Sequence, residues 1–309
     1  MAIIVLRQAV MMFLLILLGA FCFKAHILTQ ESTKQISALV LKVVNPIVIL
    51  LAYQREFKLA FVANLGWTFV LSAAAYAVSF LAAYLGIRDR EGRETVIERF
   101  SCIYSNCGFM GIPLVNAMFG EDGVFYLTAF LTCFNFLVWS HGVMQMSGQR
   151  SLRSLVRVLL SPAILAIAAG MVLFFCRITL PPLLHDTLSS VGELNTPLAM
   201  LVAGATIIQT DLPAVLRKPR VYYICLIKLL VIPLAAAGLF LLFPFDRTME
   251  MTVLAACAAP SAAICTMQCI NYNRNAAYAS ELFGVTTLFS VATMPGVMVL
   301  YELMEAGIR

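Results

Sequence analysis

The chain has 309 residues, of which 61% are apolar and only 12% are charged, with a formal net charge of +5. This balance excludes an ordinary soluble globular domain, in which about a quarter of the residues are charged. The basic residues are scattered through short stretches between apolar runs, which excludes a basic arm or patch for nucleic acid and favours a role in membrane orientation.

Apolar windows of about 20 residues, the length that crosses a hydrocarbon core roughly 30 Å thick, recur along the whole chain. They predict an all-α polytopic membrane protein with ten transmembrane helices in a single membrane domain, residues 1–309. The predicted spans are 3–23, 35–54, 61–86, 97–119, 123–146, 156–176, 189–209, 220–243, 249–270 and 276–303. They divide into two sets of five, residues 1–150 and 151–309.

Lys and Arg are concentrated in the loops on one side of this arrangement. Because positive loops remain on the cytoplasmic side, both termini are predicted to lie outside the cell. The expected location is the plasma (inner) membrane, with the termini in the periplasm.

The two sets of spans carry similar breaks. Asn45-Pro46 in span two is matched by Asn195-Thr196-Pro197 in span seven, and Pro113 in span four is matched by Pro260 in span nine. Since five is odd, a second copy of a five-helix unit enters the membrane upside down. Paired breaks in corresponding spans therefore indicate two inverted repeats, with Asn45 and Asn195 as candidate pathway residues.

A proline inside a helix removes one backbone donor and clashes with an earlier carbonyl, and hydrocarbon tolerates such breaks only where protein or water covers them. Pro113 and Pro260 lie near mid-span, so two broken helices are expected to cross near the bilayer midplane and offer half-helix N-termini to an anion. Gly108 and Gly111 are interpreted as positions of close helix approach. Four polar neighbours are candidate substrate contacts: Ser105, Asn106, Ser261 and Gln268.

Few charged residues fall within the predicted spans. Lys42 and Glu193 each precede the proline of their span, and inverted topology places them on opposite approaches to the centre, as pathway residues or as snorkelling side chains. Glu281 in the last span is a candidate for a coupling proton or for an interfacial acid. Lys228 is interpreted as a snorkelling side chain.

The run from Asn106 to Leu114, NCGFMGIPL, followed by Met118-Phe119-Gly120, resembles the fourth-helix signature of the auxin efflux carrier family. The second half adds matches in the order and spacing of that family, at Pro260, Tyr272-Asn273, Ser280, Phe283-Gly284, Pro295 and Tyr301. The resemblance covers essentially the whole chain. The short connection between spans five and six is similar to that of compact, bacterial-type members.

This resemblance implies a crossover fold like that of sodium/proton antiporters and bile-acid symporters, a homodimer formed through the scaffold helices, and elevator-type alternating access. By this resemblance, Asn106 is expected to contact a substrate carboxylate, and Pro113 and Pro260 are expected to lie at the point where the two broken helices cross. Bacterial relatives are generally assigned to small organic acids such as malate or malonate. The implied division places scaffold spans within 1–60 and 155–212, and transport-unit spans within 61–150 and 216–309.

The sequence therefore predicts a secondary active or potential-driven carrier of a small organic anion, with no cofactor and no bound metal. A membrane sensor that binds such an anion without moving it, and a cation-coupled symporter resembling bile-acid carriers, remain alternatives. Bile-acid sodium symporters, a related family with this fold, place an acid in the ninth helix to bind sodium. Residues 251–270 here contain no Asp or Glu, and this departure from their pattern disfavours sodium coupling. The sequence has no GxSxG elbow, HExxH pair or GxxxxGK phosphate loop, so an enzyme is not expected.

Overall fold

The computed structural model describes residues 2–90, 92–148, 160–209 and 212–308. These residues form helices and loops, with an isolated antiparallel bridge as the one β contact among them. The predicted boundary between the two sets of spans, at residues 150 and 151, and the start of the sixth predicted span lie outside the described residues. The helices are α1 Ala2–Lys24, α2 Gln30–Ala52, α3 Leu59–Gly86, α4 Thr95–Ile103, α5 Cys107–Ser147, α6 Pro162–Cys176, α7 Pro182–Ile208, α8 Leu212–Val215, α9 Pro219–Phe240, α10 Arg247–Ala258, α11 Ile264–Asn271 and α12 Ala276–Ile308.

Six helices in the described ranges are long and apolar enough to cross a membrane, judged by length and composition: α2, α3, α5, α7, α9 and α12. Shorter apolar helices lie at Val10–Lys24, within α1, and at α6. The prediction of an all-helical, multi-pass membrane protein is confirmed at this level. Two of the remaining predicted spans, 97–119 and 249–270, fall where the helix is interrupted.

Three long helices widen into a single π-helical turn directly before a proline. The turns are Val40–Val44 before Pro46, Cys107–Gly111 before Pro113, and Ile227–Val231 before Pro233. In such a turn the backbone bonds reach one residue further back, as from the Ile112 N–H to the Cys107 carbonyl. The wider turn accommodates proline without ending the helix. The predicted break at Pro113 is therefore corrected, because α5 runs through Pro113 and the interruption lies before Cys107.

Helix α5 contains a sharp bend at Gly120, where φ is 59° and ψ is −145°. Side chains disfavour this backbone conformation, and glycine adopts it readily. The bend falls between predicted spans four and five, so α5 comprises the second part of span four together with span five.

Helices α1 and α7 pack with their backbones almost in contact. A Cβ atom on Gly204 would lie 1.9 Å from the Ile16 carbonyl oxygen, and one on Gly19 would lie 2.3 Å from the Leu201 carbonyl oxygen. Both neighbours are backbone atoms, which cannot turn aside as a side chain can. Small residues at both crossing points therefore set the distance between these helices.

We expect Gly204→Val to destabilise the protein by about 3 kcal/mol or more, because α1 and α7 must separate to admit the side chain. Thermal unfolding in detergent micelles measures the effect. Gly238→Val in α9 is the matched control, since nothing lies within 4 Å of the Cβ position there. Equal unfolding temperatures for the two variants would contradict the close packing of α1 on α7.

Candidate functional site at the crossing of two interrupted helices

The chain leaves helical conformation between α4 and α5, at residues 104–106, and between α10 and α11, at residues 259–263. These two interruptions lie side by side, although they belong to opposite halves of the chain. An antiparallel bridge joins Ser105 of the first to Ser261 of the second. The two interruptions are thus in contact in the described residues, and we call this contact the crossing.

Reciprocal backbone hydrogen bonds hold the crossing together. The Asn106 N–H donates to the Pro260 carbonyl at 2.7 Å, and the Ala262 N–H donates to the Tyr104 carbonyl at 2.9 Å. Each interruption frees backbone groups that an apolar interior would leave unsatisfied, and the other interruption pairs them. The two breaks are therefore complementary, and each depends on the other.

The two serine side chains repeat this reciprocity. The Ser105 hydroxyl donates to the Cys257 carbonyl at 3.1 Å, and the Ser261 hydroxyl donates to the Ser101 carbonyl at 2.9 Å. Each hydroxyl thus satisfies a carbonyl in the last turn of the helix that precedes the other break.

Each residue in these contacts has an equivalent at the other interruption that plays the same part, and the sequence offset between equivalents is the same throughout. The equivalents are Ser101 and Cys257, Tyr104 and Pro260, Ser105 and Ser261, and Asn106 and Ala262. A local pseudo-symmetry therefore relates the two interruptions to each other. It also corrects the predicted pairing of prolines. The counterpart of Pro260 is Tyr104, and Pro113 lies beyond the crossing within α5.

Lys228 is the residue at the crossing that the sequence analysis misassigned. Its side chain, in the π-helical turn of α9, is fully buried. Its Nζ donates to the Ser105 hydroxyl at 2.6 Å and to the Cys257 carbonyl at 3.5 Å. The described residues place no carboxylate within ion-pairing distance of Nζ. The snorkelling interpretation is therefore wrong, and the one signal in the sequence was a lysine inside an apolar run shortly before Pro233.

Asn106 is only 6% exposed, and its backbone is fixed by the bridge. Its side-chain amide makes no hydrogen bond to another described residue and remains available to a ligand. The Ser261 hydroxyl, by contrast, already donates a hydrogen bond to the Ser101 carbonyl. Gln268, in α11, is 1% exposed and has a side-chain oxygen with no partner in the described part of the chain.

Asn45 and Asn195 are each 4% exposed, and within the described ranges the side-chain oxygen of each lacks a hydrogen-bond partner. The Asn45 amide nitrogen faces the start of α5, lying 3.4 Å from the position of a Cβ on Gly108. A Cβ on Gly111 would lie 3.4 Å from the Cys107 side chain of its own helix and 3.9 Å from the Ala256 Cα of α10.

The remaining candidates lie elsewhere. Lys42 is exposed on α2. Glu281 forms an ion pair with Lys218, Oε2 to Nζ, at 2.6 Å. Glu193 lines a separate cavity of about 210 Å³ between α2, α5 and α7, together with Glu121. The crossing therefore does not include these three charged residues.

A buried ion pair ties α4 to α9 near the crossing. Glu98 is 1% exposed and accepts from Arg220 through both carboxylate oxygens, at 2.8 Å from Nε and 2.5 Å from Nη2. The Tyr278 hydroxyl of α12 donates to the same carboxylate at 3.1 Å. Three helices are thus joined at one carboxylate.

We expect Glu98→Gln to destabilise the protein by about 2 kcal/mol or more, because Arg220 then loses its charged partner. Glu281→Gln is the matched control, since its partner Lys218 is about half exposed, with 47% side-chain accessibility. The control should cost less than about 1 kcal/mol. Thermal unfolding at pH 7 compares the two, and an equal loss in both variants would show that the Glu98 pair has no special role.

The loop before α4 is fixed by a smaller set of contacts. Arg99 donates to the Ile87 carbonyl at 2.7 Å and to Asp89 at 3.1 Å. The Thr95 hydroxyl donates to Asp89 at 2.6 Å. This hydrogen bond, assisted by Arg99, holds the pKa of Asp89 below its usual value. The start of α4, and with it the first interruption, is anchored at this end.

A helical multi-pass membrane protein with two interrupted helices that cross is the class that this arrangement defines. The model of a family described as membrane transport proteins matches the chain over residues 4–154 and 149–298. The chain therefore belongs to this family, the auxin efflux carrier family that its sequence resembles. It is also similar to an uncharacterized transporter of Methanothermobacter thermautotrophicus, 25% identical over 291 residues that cover 91% of this chain and 93% of that protein.

Proposed function

We propose that the protein is a secondary active or potential-driven carrier of a small organic anion, a mono- or dicarboxylate, bound at the crossing. The observation that carries this proposal is the fully buried amino group of Lys228, which meets the crossing without a carboxylate partner among the described residues. A positive charge on a buried amino group is costly unless another charge compensates it. A substrate carboxylate supplies that compensation.

The helix ends at the crossing support the same sign of charge. Helices α4 and α10 end there, each with a partial charge of about −0.5, and α5 and α11 begin there, each with about +0.5. These four contributions cancel to a first approximation, so with Lys228 beside the negative ends the crossing carries one net positive charge, and the positive ends of α5 and α11 remain to face a substrate. The crossing thus matches one carboxylate group, and the free Asn106 amide supplies a neutral hydrogen-bond donor beside it.

The proposed fold has ten transmembrane spans. Six are α2, α3, α7, α9, α12 and the part of α5 after Gly120. Two more are the segments containing α1 and α6, and the last two are the interrupted pairs, α4 with the part of α5 before Gly120, and α10 with α11. Packing of α1 on α7 and of α2 on α6 supports a scaffold, and packing of α10 on α3 and α5 supports a transport unit. Elevator-type movement, a homodimer through the scaffold, the inner membrane and periplasmic termini are parts of this proposal.

Purified protein in sealed liposomes tests the function. Vesicles loaded with unlabelled malonate, malate, succinate or acetate are expected to take up the same labelled acid by exchange, whereas vesicles loaded with a neutral analogue such as malonamide are not. Protein-free liposomes are the control. Binding of an acid without exchange would support a sensor, and absence of both binding and exchange across the acids would contradict the carrier.

A further inference from the structure

Two helices point their negative ends at the same place. Helix α4 ends at Ile103 and α10 ends at Ala258, and the bridge between Ser105 and Ser261 brings these ends together. The last carbonyls of a helix lack intrahelical partners and carry partial negative charge. A positive charge is therefore favourable between them, whatever its source.

Lys228 supplies a positive charge there from a third helix, α9. Its Nζ reaches the Ser105 hydroxyl oxygen and the Cys257 carbonyl oxygen, which are hard oxygen donors of the kind that bind small cations. The Ser105 hydroxyl directs its own hydrogen to the Cys257 carbonyl, so its oxygen lone pairs face the ammonium. The ammonium thus occupies a small oxygen-lined position at the ends of two helices.

In the part of the chain that the structure describes, no unpaired acid lies around this position to bind a metal cation in addition to the ammonium. No Asp or Glu occurs in α10 after Glu250, in the interruption that follows α10, or in α11. Glu98 of α4 is already engaged by Arg220 through both carboxylate oxygens. A second cation beside Lys228 would have only neutral oxygens to oppose the repulsion between the two positive charges.

We propose that the Lys228 ammonium is a built-in cation, occupying the position at which a sodium ion would otherwise balance the two helix ends. The carrier then needs no sodium ion to assemble its anion site. The transport consequence rests on the proposed function, but the cation site itself does not. Stability measurements therefore test it without any substrate.

The first test uses the purified full-length protein in detergent, with sodium chloride compared with choline chloride at equal ionic strength. The parent is expected to unfold at the same temperature in both salts. Lys228→Ser removes the ammonium and leaves room and an oxygen for Na⁺, so its unfolding temperature should rise in sodium by about 3 °C or more. Lys228→Met fills the space without charge or oxygen and should show no response to sodium.

A parent that sodium stabilises would overturn the proposal, as would a Lys228→Ser protein that responds to sodium no more than Lys228→Met. If Lys228→Ser does not fold in choline, folding restored by sodium supports the proposal, and failure in both salts counts against it. In liposomes, exchange of labelled malonate by the parent should be equal in the two salts. Absence of malonate exchange in both salts would bear on the proposed function and leave the stability result standing.

Discussion

A disulfide bond is expected to form across the crossing when Ser105 and Ser261 are both replaced by cysteine. The hydrogen bonds of the bridge flank this pair, so the two residues form a non-hydrogen-bonded antiparallel pair, whose Cα atoms lie about 4.5 Å apart. That separation is within the range of natural disulfides. The bond would join the two halves of the chain.

The measurement uses a chain with a protease site inserted between the halves. The neighbouring native cysteines are replaced by alanine to exclude other pairings: Cys102, Cys107, Cys257 and Cys265. After oxidation and cleavage, the double variant should run at full-length mass without reductant, and each single variant should separate into two fragments. Separation of the double variant under the same oxidation would contradict the crossing.

Asn106→Ala is expected to lower anion exchange in liposomes at least tenfold, because a hydrogen bond to a charged group contributes about 1.5–3 kcal/mol. Stability should change little, since the Asn106 amide has no partner in the described structure and its backbone bonds survive the substitution. The measurement is the initial rate of labelled-acid exchange at a subsaturating concentration.

Asn135→Ala is the matched control for this experiment. Its amide donates to the Leu131 carbonyl of its own helix at 2.8 Å and is therefore already paired within α5. Exchange by this variant should remain within about twofold of the parent. Equal rates for Asn106→Ala and the parent would remove Asn106 from the substrate site.

The class of protein and the two interrupted regions were predictable from the sequence, but the position of the first interruption was not. Near Pro260 the prediction succeeds because the residue before a proline avoids helical conformation, and Ala259 is extended, with ψ at 149°. Near Pro113 the same reasoning fails, because the wider π-helical turn Cys107–Gly111 accommodates the proline and the helix continues. Whether a helix breaks or widens depends on the packing around it.

The surroundings of charged side chains could not be predicted from the sequence, for a different reason. A lysine within an apolar run can extend to the membrane surface or turn inward, and hydropathy is the same in both cases. Lys228 turns inward because Ser105 and the Cys257 carbonyl, distant in the sequence, provide oxygens for it. Likewise, Glu281 is held by Lys218, a partner that no local pattern indicated.

Hydrogen–deuterium exchange with and without a transported acid tests most directly whether the substrate is bound at the crossing. The proposed function predicts slower exchange in peptides that contain residues 104–107 and in those that contain residues 260–264, from opposite halves of the chain. Peptides lining the separate cavity around Glu121 and Glu193 should exchange at unchanged rates. Protection of that cavity, with no change in either peptide set at the crossing, would contradict the account.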